Sequence, residues 1–96
     1  MLLWVIYDIS KDKARKKMSD ACEQYGLYRV QYSAFLGDVN KNQMDELQLK
    51  AEELINKKTD AVYLFPMCEE DFKKVALVGQ EFDRKLIADQ LSTKMV

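Results

Sequence analysis

Leu2-Leu3-Trp4-Val5-Ile6-Tyr7 is an unbroken apolar run that ends at Asp8. It is far short of the roughly 20 apolar residues of a membrane span and suits a single strand. Successive side chains of a strand point to opposite faces, so Leu3, Val5 and Tyr7 share one face and Leu2, Trp4 and Ile6 the other. Both faces are apolar. An antiparallel sheet with one wet face would alternate, so a sheet built around this strand has to be covered on both sides.

The rest of the chain alternates between helix and strand periodicity. Ala14, Met18, Ala21/Cys22 and Tyr25 recur at helical spacing from Asp12 to Tyr25. Ser10 is the expected N-cap and Gly26 the left-handed residue past the C-terminus. Residues 28–37 alternate, with Tyr28, Val30, Tyr32, Ala34 and Leu36 opposed to Arg29, Gln31, Ser33 and Phe35. A turn or bulge near Gln31–Ser33 would split this stretch into two antiparallel strands. Asn40 suits the cap of a second helix, whose stripe is Met44, Leu47, Ala51, Leu54 and Ile55 and which runs to about Lys57. Ala61–Phe65 reads as a strand closed by Pro66, Glu69–Lys73 as a turn or short helix, and Val75–Val78 and Leu86–Leu91 as further strands.

This order predicts an α+β fold: a ferredoxin-like βαββαβ unit with an extra C-terminal strand, its antiparallel sheet carrying two helices on one face. Residues 1–96 form a single domain, with 78–96 a segment able to pair with a partner. The second apolar face then calls for a cover, and a second copy of the chain is the simplest one, giving a sheet-to-sheet homodimer. No linker, repeat or leader-like segment is visible, and the expected setting is the cytoplasm, away from any membrane. Cys22 and Cys68 lack metal-ligand spacing, and both are expected to be unreactive thiols.

Histidine is absent. This removes the commonest general base, His-dependent nucleophilic triads and dyads, and His-containing zinc sites. Any chemistry on phosphodiesters must then rest on carboxylates, which usually work through a divalent metal. Asp8 ends the apolar strand on the parity of Leu2, Trp4 and Ile6. Near a two-fold axis two copies would repel unless a cation or a proton intervened, and Mg2+ suits such a site. The plainer reading is ordinary turn chemistry at a strand end.

The net charge of −1 conceals a local field: Lys11, Lys13, Arg15, Lys16 and Lys17 face only Asp12 within residues 11–17. Such a run is either a solvated helix face or a phosphate-binding one. It opens the helix that follows Asp8, which places cations and carboxylate in one neighbourhood. Ser33 could position a phosphate oxygen or a metal-bound water, and Phe35 is expected to fill the dimer interface or, less readily, to stack on a base.

Tyr7-Asp8-Ile9, the Lys/Arg-rich helix opening, Tyr25-Gly26-Leu27, the Gln31-x-Ser33-x-Phe35 strand and the Asp60–Pro66 segment resemble, in order and spacing over residues 2–78, the CRISPR-associated Cas-two family. The resemblance implies a dimer in which Asp8 is the catalytic carboxylate and binds a divalent metal such as Mg2+ between protomers. It also implies that Lys11, Lys13, Arg15, Lys16 and Lys17 bind nucleic acid, with Tyr7, Ser33 and Phe35 in support. The chain departs from the family in reading ARKK where consecutive arginines are usual, and in having Ala34 for the usual Val. Two functions follow from the resemblance: a metal-dependent endonuclease cutting single-stranded RNA or duplex DNA during spacer acquisition, or a scaffold without chemistry that bridges the Cas-one integrase and holds spacer DNA by its backbone. A regulatory or toxin-type RNase on the same fold is a third reading.

Overall fold

The computed structural model describes residues 1–76, 78 and 79. The elements are β1 (Leu2–Asp8), α1 (Asp12–Gln24), β2 (Tyr28–Gln31), β3 (Ala34–Asp38), α2 (Lys41–Leu54), β4 (Ala61–Met67) and α3 (Glu69–Lys73). The four strands form one antiparallel sheet in the order β2-β3-β1-β4. Each long helix therefore carries the chain past one intervening strand: α1 over β3, and α2 over β1. This is the split βαβ arrangement expected of a ferredoxin-like unit.

Local chemistry explains most of the boundaries. Gly26 adopts φ 81° and lets the N–H of Leu27 return to the Cys22 carbonyl at 3.1 Å, closing α1. Asn40 and Gln43 form a reciprocal capping box at the start of α2, with bonds of 2.8 and 2.9 Å. Tyr32 and Ser33 make the turn that divides residues 28–38 into two strands, and the register slips between Arg29 and Gln31. Gly37 is required by packing: a Cβ there would lie 2.8 Å from the Leu27 Cα.

Several boundaries differ from the sequence reading. The N-cap of α1 is Lys11, with no side-chain cap, because Ser10 turns its hydroxyl to Asp60. Helix α2 ends at Leu54, short of Lys57. Strand β4 continues through Pro66 to Met67; among the described residues it is an edge strand, and an edge tolerates proline because its outer N–H groups have no ladder partner there. The strand expected at Val75–Val78 is not formed at residues 75, 76 and 78. Val75 instead donates its N–H to the Phe72 carbonyl at 3.1 Å, closing the last turn of α3. The strand expected at Leu86–Leu91, and with it the extra C-terminal strand, lies outside the described residues.

The two faces of β1 enter two cores. Leu3, Val5 and Tyr7 pack beneath the helices with Met18, Cys22, Leu27, Phe35 and Leu47. On the other face Leu2 joins Val30, Leu36 and Phe72, with Trp4, Tyr28, Met67 and Val75 packed around them. So the chain covers part of its second face itself, with Phe72 of α3. Among the described residues nothing covers the remainder: Ile6 is 38%, Tyr63 54% and Phe65 47% exposed. Cross-strand pairing of Ile6 with Tyr63 and Trp4 with Phe65 puts these side chains on one surface, where the Tyr63 and Phe65 rings stack at 5.9 Å.

Candidate functional site

Asp8 is the last residue of β1 and pairs with Ala61 of β4. Its parity sends it to the open face, beyond Ile6 and Tyr63, where it is exposed. Among the described residues no hydrogen bond or ion pair engages its carboxylate, and no three potential metal ligands cluster together.

The segment after Asp8 is held from two sides. Asp60 accepts from the Ser10 N–H at 3.1 Å and from its hydroxyl at 2.9 Å. The same carboxylate accepts from the Asn56 N–H and from the Thr59 hydroxyl, each at 3.0 Å. These donors, led by the backbone N–H groups of Asn56 and Ser10, stabilise the charged form and bring its pKa down to about 2. From the helix side, Arg15 donates to the Ile9 carbonyl at 3.2 Å and pairs with Asp12.

The five cations do not converge. All are exposed on or just before α1. Arg15 and Lys16 line an open cleft of about 710 Å³ between α1 and the β2–β3 turn, which Tyr7, Ser33 and Arg29 also border. Lys16 meets Asp20 at 3.3 Å one turn on. Lys17 faces a different groove, toward Lys50 and Glu53 of α2. Lys11 and Lys13 project to solvent without lining either.

Tyr7 and Phe35 lie across the sheet from Asp8. The Tyr7 ring is buried, which raises its phenol pKa against the opposing pull of Arg29, and its hydroxyl donates to the Tyr32 carbonyl at 3.4 Å. It stacks on Phe35 at 6.3 Å. Phe35 is wholly buried, so the expectation that it fills a dimer interface or stacks on a base is corrected. The physical reason is its pairing with Val5 on the helix-covered face. Ser33 sits in the turn, half-buried on the cleft, and its carbonyl accepts from the Tyr7 N–H at 3.0 Å.

Cys22 is buried among apolar groups, which push its thiol up to about 12. Cys68 is exposed, which removes the ground for expecting both thiols to be unreactive; it precedes α3, and its sulfur accepts from the Asp71 N–H at 3.4 Å.

Sequence reasoning overlooked Arg29. Its guanidinium donates to the Ser19 hydroxyl and, at 3.0 Å, to the Tyr32 carbonyl, while lying 5.0 Å above the Phe35 ring. It thereby ties α1 to the β2–β3 turn. The available signal was a cation on the parity of Phe35, inward of the alternation.

The family model for "CRISPR associated protein Cas2" matches residues 1–75. A protein named CRISPR-associated endoribonuclease Cas2 from Desulforudis audaxviator is 41% identical over 72% of this chain, a match spanning 65% of that relative's length. A relative named CRISPR-associated endoribonuclease Cas2 2, from Chloroflexus aurantiacus, is 35% identical over 82% of this chain and 93% of its own. Among solved structures, a hypothetical protein of Thermus thermophilus superposes with a TM-score of 0.70 at 29% identity, covering 83% of this chain and 92% of that one. Streptococcus pyogenes Cas2 gives 0.71 at 24% identity, with 82% and 100% covered, a likeness of fold. With most of its length matched by the family model and its sheet and helices superposing on these structures, the chain belongs to the CRISPR-associated Cas2 family.

Proposed function

We propose that this chain is a cytoplasmic spacer-acquisition protein that works as a homodimer and cleaves phosphodiester bonds of single-stranded RNA or duplex DNA, with Asp8 as its catalytic carboxylate. One observation carries the reading: Asp8 stands directly beyond the exposed Ile6, Tyr63 and Phe65 on the same sheet face. A second copy that covers this patch brings the two Asp8 side chains to the rim of one interface. Exposed apolar surface of this kind is the usual mark of association.

The donor chemistry fits a hard divalent cation. Asp8 offers exposed carboxylate oxygens not engaged among the described residues, and Mg2+ takes one or two carboxylates while retaining several waters. Bound there by Asp8, such an ion would neutralise phosphodiester charge and lower the pKa of water. The chain's own residues do the rest: Arg15 and Lys16 attract the phosphate backbone, and Asp60 and Arg15 hold the Ile9–Ser10 segment that joins Asp8 to the helix.

A second reading is favoured by the position of Tyr7 and Phe35, which point into the helix-side core and away from Asp8. A carboxylate without those neighbours suits a scaffold that holds spacer DNA by its backbone and bridges the Cas-one integrase. A cleavage assay on labelled RNA and DNA, with Mg2+ or EDTA, separates the two. The nuclease predicts cutting that EDTA stops and Asp8→Asn abolishes. Cutting equal in wild type and Asp8→Asn, or none in either, contradicts it and leaves the scaffold.

A further inference from the structure

Tyr32 is the most exposed aromatic side chain among the described residues, at 88%. Its backbone is nevertheless anchored. The Tyr32 carbonyl accepts from the Arg29 guanidinium at 3.0 Å and from the Tyr7 hydroxyl at 3.4 Å, and the adjoining Ser33 carbonyl accepts from the Tyr7 N–H at 3.0 Å. A rigid turn thus holds out an unpacked ring. A tyrosine has only two side-chain torsions, so ordering it against a ligand costs little entropy.

Tyr32 lines the same cleft as Arg15, Lys16, Arg29 and Ser33. We propose that Tyr32 is a stacking platform for an unpaired nucleobase, with Arg15 and Lys16 beside it to hold the attached phosphates. This rests on the nucleic-acid reading above and adds a subsite to it. Phe35 cannot serve, because it is wholly buried. Asp20 and Glu23 on the same cleft repel a backbone that would thread its whole length, so the contact is local, to one base and its neighbouring phosphates. Bases in a duplex have both faces stacked already, which makes the subsite selective for single strands.

The substitution isolates the ring cleanly. Tyr32→Ala keeps the carbonyl that Arg29 and Tyr7 bind and removes no buried side chain, so fold and turn survive; an unchanged thermal midpoint checks this. The probe is a labelled oligoribonucleotide of about ten residues, compared with an abasic ribose-phosphate chain of the same length and with a duplex, all by fluorescence anisotropy on the full chain. Stacking on one aromatic side chain corresponds to a loss of about 5- to 140-fold on truncation. Tyr32→Ala is expected to lose that much affinity for the oligoribonucleotide and none for the abasic chain or the duplex, while Tyr32→Phe stays within about twofold of wild type. Unchanged affinity of Tyr32→Ala for the oligoribonucleotide, or an equal loss on the abasic chain, overturns the stacking role alone. A wild-type protein that binds none of the three overturns the nucleic-acid reading together with it.

Discussion

The carboxylate of Asp60 accepts both the N–H and the hydroxyl of Ser10, at 3.1 and 2.9 Å, across fifty residues of sequence. Asp60 immediately precedes Ala61, the cross-strand partner of Asp8. One side chain therefore fixes both the start of β4 and the segment that leads from Asp8 into the basic helix.

This clamp makes a pH prediction. The folded pKa of Asp60 is lowered to about 2 from the 3.8 of a free Asp side chain, because backbone N–H groups favour its charged form. Its contribution to stability is therefore fully present above pH 3.8 and is lost as pH falls through about 2. Asp60→Asn, which has no charge to titrate, should unfold at lower urea than wild type at neutral pH. The gap should close as pH is taken from 4 toward 2, within the window set by the two pKa values. A gap that is constant with pH would contradict the assignment.

Phe35 provides a test of which face it occupies. Truncating a buried Phe costs about 3–5 kcal/mol, so Phe35→Ala should lower the urea midpoint at every protein concentration. A variant that keeps its unfolding midpoint and loses only self-association would place Phe35 at an interface and refute the buried site.

The two thiols should differ sharply in a labelling experiment on the native protein. Cys22 is buried with its thiol pushed up to about 12, whereas Cys68 is exposed. At neutral pH a thiol reagent should modify Cys68 quickly and Cys22 only after denaturant is added, because the thiolate is the reactive form. Comparable rates for both in the folded state would contradict the packing of α1.

Much of this architecture was legible in the residues. The apolar periodicity of α1 and α2, the cap at Asn40, Gly26 and the division near Gln31–Ser33 each carry a local signal, and local signals are what a sequence displays. The doubled apolar character of β1 also pointed to a second face in need of a cover, of which the described residues supply part. That part was less legible, because Phe72 supplies it from a short helix with one buried residue. The same limit applies to Phe35: alternation sorts a strand's residues into two sets but does not say which set meets the helices. Ser10 and Asp60 are joined only by the closure of β1 against β4. A hydroxyl expected to cap its own helix went to a carboxylate that no neighbouring residue announces. The basic run was visible as charge, yet helical geometry divides it, sending Lys17 to one groove and Arg15 and Lys16 to another.

Self-association through the open face of β1 and β4 is the claim on which the proposed site depends, because one chain brings a single Asp8. The direct measurement is molar mass by light scattering at micromolar concentration, for wild type and for the doubly substituted Tyr63→Asp, Phe65→Asp chain. These side chains are about half exposed in the single chain, at 54% and 47%, so the variant should stay folded by circular dichroism. The account predicts twice the 11.2 kDa chain mass for wild type and the single-chain mass for the variant. A wild type at the single-chain mass, or a variant that still dimerises, would contradict it.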